Sequence, residues 1–177
     1  MEKRETFWTL NTPFALLIAG CCIVASYLTL RQSGHLYGNP VLEKIITFLY
    51  VIGLFMQIRR YRESKKQEGY ISYGSGFVTG LYISGLSGLI YGIYTIILYS
   101  VYPEALANYL TALENFFREN YSGSPLAEEM LKMVKTFTTP FSIGFSEFFS
   151  KSLLGIIYTL PIAAILRKIK PRGAQYE

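Results

Sequence analysis

The segment from Gly74 to Tyr102 constrains this chain most, because it is apolar and carries a small residue at every fourth position. The small residues are Gly76, Gly80, Ser84, Gly88 and Gly92. As an α-helix the segment would be about 43 Å long, which exceeds the ~30 Å hydrocarbon core of a bilayer. We therefore predict a membrane-spanning helix whose small residues, here called the ladder, let a neighbouring helix approach closely.

Three more long apolar segments share the chain, whose hydrophobic fraction is 51% over 177 residues. The four predicted spans are 13–30, 41–58, 75–101 and 141–166. Segments this long are atypical of soluble domains, whose helices average about 11 or 12 residues. The prediction is one all-α integral membrane domain over 1–177, built as a four-helix bundle.

The connection 103–138 between the third and fourth spans has internal order of its own. Apolar residues recur at helical spacing in two runs, separated by Tyr121-Ser122-Gly123-Ser124. The runs are Leu106, Tyr109, Leu110, Leu113, Phe116 and Phe117, then Leu126, Met130, Met133, Val134 and Phe137. This pattern predicts an amphipathic two-helix hairpin, which lies on the membrane, caps the bundle or docks a partner.

The basic residues collect at the ends of the apolar segments. Two precede the first span, five lie between Arg59 and Gly74, and four follow Leu166, whereas the other two connections hold four together. The first three stretches thus hold eleven basic residues against four in the other two connections. By the positive-inside rule this difference predicts that both termini are cytoplasmic and that the hairpin lies outside. The net charge of +5 is therefore explained by membrane orientation and headgroup contacts, and no nucleic-acid partner is predicted.

Four charged residues fall inside or at the edge of the predicted spans: Glu43, Lys44, Glu147 and Lys151. A charge at the centre of a membrane helix costs about 2.5 to 3.5 kcal/mol, so such residues are candidates for function. Counting back about 20 residues from Leu166 places Glu147 near the outer hydrocarbon boundary, with Lys151 about 6 Å inside. This depth favours an interfacial charge cluster over a proton or ion relay.

No set of residues indicates catalysis. His35, the adjacent Cys21 and Cys22, and scattered glutamates do not combine a nucleophile, a base and an orienting group. All twelve acidic residues are Glu, and no motif predicts a metal or a cofactor. We therefore expect that the protein is not an enzyme.

A short run before the third span carries a family resemblance. Tyr61-Arg62-Glu63, followed by Gly69-Tyr70-Ile71-Ser72-Tyr73-Gly74-Ser75-Gly76-Phe77, resembles a run of domain-of-unknown-function family 4199. The resemblance implies a bacterial inner-membrane protein with four spans, a polar outer connection and a basic tail. It implies no activity, and Glu68 stands where the resemblance leads us to expect a second Gly. The family's genes tend to accompany envelope glycosyltransferases, which hints at a partner.

These observations leave two functions open. The first is an accessory or scaffold subunit that acts through a membrane-protein partner such as an envelope glycosyltransferase. The alternative is a small transporter, channel or lipid-handling protein that uses Glu147 and Lys151. A homo-oligomer through the ladder is allowed but not favoured, since three other spans can pack there. A four-residue stripe drifts about 40° per step, so we expect it to serve different neighbours at its two ends.

Overall fold

The protein is all-α over the residues described by this computed structural model, which are 6–33, 40–65, 67–121 and 125–169. The helices are α1 (Phe7–Ser33), α2 (Pro40–Arg62), α3 (Tyr73–Val101), α4 (Pro103–Tyr121), α5 (Pro125–Phe137) and α6 (Pro140–Leu166). Four of them, α1, α2, α3 and α6, are long and apolar enough to cross a membrane. The predicted fold class is thus confirmed, and α4 and α5 occupy the predicted position between the third and fourth spans.

Helix α1 begins earlier than the hydropathy pattern predicts and includes Pro13 in its interior. Two tertiary features stabilise the added turns. The Phe7 ring packs edge-on against Tyr61, with the ring centroids 5.6 Å apart. The buried Gln57 side-chain amide donates to Asn11 Oδ1 at 2.8 Å, which ties the start of α1 to α2. These contacts join residues distant in sequence, so local hydropathy could not reveal them.

Helix α3 is central, with its most extensive contacts to α6 and further contacts to α1 and α2. Its start is capped by Ser72, whose hydroxyl accepts a hydrogen bond from the Ser75 N–H at 3.1 Å. Helix α6 begins with a capping box formed by Thr139 and Ser142, and Pro140 occupies its first turn. Both helices that carry the main packing interface therefore have well-defined starts.

The ladder faces α6 at all five of its positions. A Cβ added at Gly76 would lie 3.2 Å from Ala163, and one at Gly88 would lie 3.1 Å from the Ser152 hydroxyl. At Gly92 an added Cβ would lie 2.6 Å from a backbone oxygen of α6. The two central steps pair Gly80 with Thr159 and Ser84 with Gly155.

All five ladder residues thus contact α6, whereas the sequence led us to expect that the two ends of the ladder contact different helices. A repeat of four residues is longer than the 3.6 residues of one helical turn, so the stripe winds around α3. A single neighbouring helix can contact the whole of such a stripe if the two helices wrap around each other in a right-handed sense. Helix α6 supplies small residues at Gly144, Ser152, Gly155, Thr159 and Ala163, which makes that close contact sterically accessible.

Hydroxyl groups also link the spans across the buried interior. The Ser26 and Tyr91 hydroxyls lie 2.5 Å apart and join α1 to α3. Ser87 donates to the Tyr50 hydroxyl at 3.0 Å and joins α3 to α2. Polar side chains inside membrane bundles commonly satisfy each other in this way, at about 0.6 kcal/mol per bond on average.

The end of the bundle that carries Arg62 and Leu166, here called the basic end, closes with a short backbone clasp. Ile71 and Lys168 exchange two backbone hydrogen bonds of 2.9 and 3.0 Å. The turn leading into the clasp contains Glu68 at φ 50° and Gly69 at φ 82°, both in the left-handed region. Glu68, at the position where the resemblance predicts Gly, thus adopts backbone angles that Gly favours.

The hairpin of α4 and α5 lies at the opposite end, here called the hairpin end. Its first two turns pack on the bundle, where Ala105, Leu106 and Tyr109 surround Tyr99 and Ile143. Beyond those turns the apolar stripe is only partly covered. Its exposed members include Phe116, Met130, Met133 and Phe137.

Candidate functional site

A polar cleft of ≈ 270 Å³ separates α2 from α6 in the half of the bundle nearer the hairpin. Helix α3 forms its third wall with Tyr91, Thr95 and Tyr99. From α2 come Leu42, Glu43, Ile46 and Thr47, and from α6 come Ser146, Glu147, Ser150, Lys151 and Leu154. Most of these side chains are polar, although all three helices belong to the membrane-spanning set.

The cleft lies where α2 and α6 are apart, whereas α2 approaches both α3 and α6 closely near the basic end. There an added Cβ on Gly76 would lie 3.2 Å from Ala163 of α6 and 3.7 Å from Ile58 of α2. The Arg62 guanidinium also donates to the Leu166 carbonyl at 3.4 Å. Towards the hairpin end α6 continues to follow the ladder of α3, and the cleft lies between α6 and α2.

The centre of the cleft is an ion pair on α6. The Lys151 Nζ lies 3.0 Å from Glu147 Oε2, since the two residues are one helical turn apart. Both side chains are largely removed from solvent, with 12% and 18% of their surface exposed. The same ammonium lies 5.4 Å from the centre of the Tyr91 ring, which adds a cation–π contact. Lys151 is therefore held by groups from two helices.

The structure brings together three of the four charged residues singled out from the sequence. Glu43 lines the cleft from α2, opposite the Glu147–Lys151 pair. Its side chain is exposed, so it lies at the rim. Lys44 is also exposed but does not line the cleft, because consecutive residues on a helix point about 100° apart.

The aromatic and hydroxyl residues of the cleft are harder to find from sequence. Ser146 and Ser150 line the cleft, whereas Ser142, four residues before Ser146 on α6, is used in the cap of that helix. Tyr91 and Thr95 lie one helical turn apart on α3, on either side of Gly92 in the sequence, and resemble ordinary packing residues. Spacing on α3 alone does not indicate that they face charges on α6.

The ladder residues form the packing surface and contribute no chemical group beyond the Ser84 hydroxyl, which donates to the Gly80 carbonyl at 2.9 Å. Their contribution to the site is positional. An added Cβ on Gly88 would lie 3.4 Å from Lys151 Cβ, so the backbone of α3 lies directly against the residue that carries the charge.

The cleft combines fixed positive and negative groups with hydroxyls, which suits reversible binding of a polar group. Lys151 has three N–H donors, and Glu147 and Glu43 offer acceptor oxygens. Cys22 is buried within the bundle, Cys21 is exposed, and His35 lies outside the described residues. Within the described part of the chain, no group of three or more His, Cys, Asp or Glu could hold a metal ion.

The hairpin offers a second surface, and a charge cluster fixes its shape. Glu114 of α4 pairs with Lys135 of α5 and with Arg118, the latter at 2.6 Å. These two cations, Lys135 first, hold the pKa of the Glu114 carboxyl below its usual value. The pair across the hairpin therefore ties α5 to α4 while leaving much of the apolar stripe uncovered.

Comparison with known proteins identifies a family and no closer relative. No curated protein and no solved structure matches the chain. The model of the family described as "Protein of unknown function (DUF4199)" matches residues 13–168. This range includes the hairpin and all four long apolar helices, of which only α1 lacks its first six residues. The chain therefore belongs to the DUF4199 family.

Proposed function

We propose that this multi-pass membrane protein is a non-enzymatic accessory or scaffold subunit that acts through a membrane-protein partner. The observation that supports this function best is the uncovered part of the apolar stripe of the hairpin, where Met133 is 61% and Phe137 70% exposed. The hairpin is inserted between α3 and α6, the two helices with the most extensive mutual contact. The packed pair of α3 and α6 therefore holds the amphipathic hairpin at its end, an arrangement suited to docking a partner protein.

The proposed location is the bacterial inner membrane, with both termini in the cytoplasm and the hairpin outside. The basic end supports this orientation, since Arg59, Arg60 and Arg62 collect there. A labelling experiment in a cysteine-free background tests it. A probe that does not cross the membrane should label Asn120→Cys and should not label Ser64→Cys in intact cells. The reverse pattern would overturn the proposed orientation.

The partner is tested by site-specific photo-crosslinking in native membranes. A crosslinking amino acid at Met133 lies on the apolar stripe of α5, and one at Glu128 lies about 140° around the same helix. We expect a discrete protein adduct from Met133 only. A membrane glycosyltransferase is the first partner to be sought in that adduct.

The control position makes the experiment decisive, because both side chains are exposed and both positions sample the same surroundings. Equal protein adducts from Met133 and Glu128 would indicate random collision. Lipid adducts alone from Met133 would show that the stripe lies in the bilayer interface. Either result would contradict the accessory-subunit proposal.

A second candidate function is a small transporter, channel or lipid-handling protein. The polar cleft favours it, because Lys151 and Glu147 are held in a membrane-spanning helix beside hydroxyl groups. Purified protein in vesicles tests this alternative through the movement of ions or labelled lipids. Activity that is lost in Glu147→Gln with Lys151→Leu supports it, whereas unchanged activity removes the cleft from the function.

A further inference from the structure

We propose that the cleft between α2 and α6 binds the headgroup of an amine-bearing zwitterionic phospholipid, of the phosphatidylethanolamine type. The phosphate contacts the ammonium of Lys151, and the lipid amine contacts the carboxylates of Glu43 and Glu147. This inference rests on the lipid-handling alternative above and specifies the ligand of that site.

The size of the cleft suits a headgroup. Its volume of ≈ 270 Å³ is just below the range of about 300 to 1,000 Å³ typical of pockets for drug-sized ligands. A water molecule occupies about 30 Å³ in the liquid, so the space exceeds what one or two structural waters need. A group the size of phosphoethanolamine fills such a space while the acyl chains remain outside.

The walls of the cleft place its opening towards lipid. The cleft lies between two membrane-spanning helices, and the third helix, α3, closes it from behind through Tyr91 and Thr95, which are buried. The α2 side carries Glu43 at the rim, in the first turn of that span. A phospholipid of the adjacent leaflet can therefore enter sideways without leaving the bilayer.

Lys151 is prepared to bind a phosphate. One side of its ammonium faces Glu147 Oε2 at 3.0 Å and another faces the Tyr91 ring, which leaves donor capacity for a further acceptor. The two contacts fix the position of the charge, so little side-chain freedom remains to be lost on binding. A phosphate oxygen accepts a strong, charge-assisted hydrogen bond from such a fixed cation.

The balance of charge selects a lipid that also carries an amine. Two carboxylates, Glu43 and Glu147, line the cleft with a single ammonium, so its formal charge is negative. Lys44 does not line the cleft and contributes only from the neighbouring face of α2. A purely anionic headgroup would meet net repulsion here, whereas an amine beside the phosphate is attracted to the carboxylates.

Native mass spectrometry of the full-length protein in detergent tests the inference. The probes are phosphatidylethanolamine and phosphatidylglycerol with identical acyl chains, added in equal amounts, and free phosphoethanolamine in a separate sample. We expect wild-type protein to retain phosphatidylethanolamine in preference to phosphatidylglycerol. Free phosphoethanolamine should be retained much more weakly, because it lacks the chains that hold the lipid at the cleft.

Four variants locate the binding. Lys151→Met should reduce retention of phosphatidylethanolamine by about tenfold, the effect of losing one charge-assisted hydrogen bond. Combining it with Glu147→Gln removes both charges of the buried pair, so loss of binding can be measured without an unpaired buried carboxylate. Glu43→Gln, at the exposed rim, should lower the preference over phosphatidylglycerol. Lys44→Met is the matched control and should leave both quantities unchanged.

Several outcomes would overturn the inference: equal retention of the two lipids by wild type, unchanged retention in the double variant, or an equal loss in Lys44→Met. Retention of free phosphoethanolamine as strong as that of the lipid would show a site for a soluble zwitterion instead.

A vesicle assay of lipid movement separates the two proposals. Protein that retains phosphatidylethanolamine but moves no lipid upholds the site and refutes lipid transport. Protein that moves lipids without preferring phosphatidylethanolamine refutes this inference alone.

Discussion

Replacing Gly92 by Ala tests whether direct backbone contact holds α3 against α6. The added Cβ would lie 2.6 Å from the Gly144 carbonyl oxygen and 3.0 Å from Phe148 Cβ. The first of these atoms belongs to the backbone of α6, so no side-chain rotation can relieve the clash. Reaching an ordinary contact of 3.4 Å requires the helices to separate locally by about 0.8 Å.

The expected cost follows from that separation. A gap of about 0.5 to 1 Å loses roughly a quarter to a half of the dispersion energy of each contact it opens. Overpacked positions typically lose about 1 to 3 kcal/mol, and a clash with backbone belongs in the upper part of that range. Because Ala is favoured over Gly within a helix by up to about 1 kcal/mol, we expect a net loss of about 1 to 2 kcal/mol.

The same helix offers a matched control at Gly85, where an added Cβ would have nothing within 4 Å. Gly85→Ala should leave stability unchanged or raise it slightly. Unfolding in mixed detergent micelles, followed by helical circular dichroism, measures both variants. Gly92→Ala at least as stable as Gly85→Ala would refute the reasoning.

The partner glycine extends the test. Gly144→Ala directs its Cβ at the Ile96 side chain of α3 and, again at 2.6 Å, at the Gly92 carbonyl oxygen. Since one separation of the helices relieves both clashes, the double variant should lose less stability than the sum of the two single variants. Strict additivity would show that the two positions do not share one contact.

Three further predictions concern the hairpin, the cleft and the turn. Because its basic partners lower the pKa of Glu114, the tie between α4 and α5 should be present above the usual carboxyl pKa and lost as pH falls through the lowered value. Distances between spin labels on the two helices should widen on acidification, and Glu114→Gln should widen them at neutral pH. The Lys151→Met variant should unfold at a lower concentration of denaturing detergent than the double variant that also carries Glu147→Gln. Only the single variant leaves the Glu147 carboxylate buried without its partner. Gly69→Ala should cost about 1 to 2 kcal/mol because φ is 82°, and the unfolding assay used for Gly92→Ala measures this loss.

The long apolar helices and the amphipathic hairpin could be predicted from sequence because both follow from local patterns. Hydropathy over about 20 residues reports a span, and helical spacing of apolar residues reports an amphipathic helix. The start of α1 could not be predicted in this way. Its first turns depend on contacts of Phe7 and Asn11 with α2. A hydropathy window of about 20 residues contains only one of the two residues that form each contact.

The ladder shows a second limit of sequence reasoning. Its spacing predicts that some helix approaches closely, but the choice of α6 depends on the complementary surface of that helix. On α6 the facing positions include Phe148 and change spacing between Ser152 and Gly155, so they do not form a recognisable repeat. The cleft could not be predicted from the sequence either, because it depends on the separation of α2 from α6 in the folded bundle.

The ladder and the cleft are consequences of the same packing. Small residues on α3 draw α6 close along its whole length, and at Gly88 this places the backbone of α3 against Lys151. Near Glu43 the cleft separates α2 from α6 and leaves polar groups accessible from one side. A bulkier α3 would move Lys151 away from the Tyr91 ring that helps to hold it. The glycines thus contribute to the site without touching a ligand, by fixing the distance between the helix that carries the charge and the helix that forms the wall behind it.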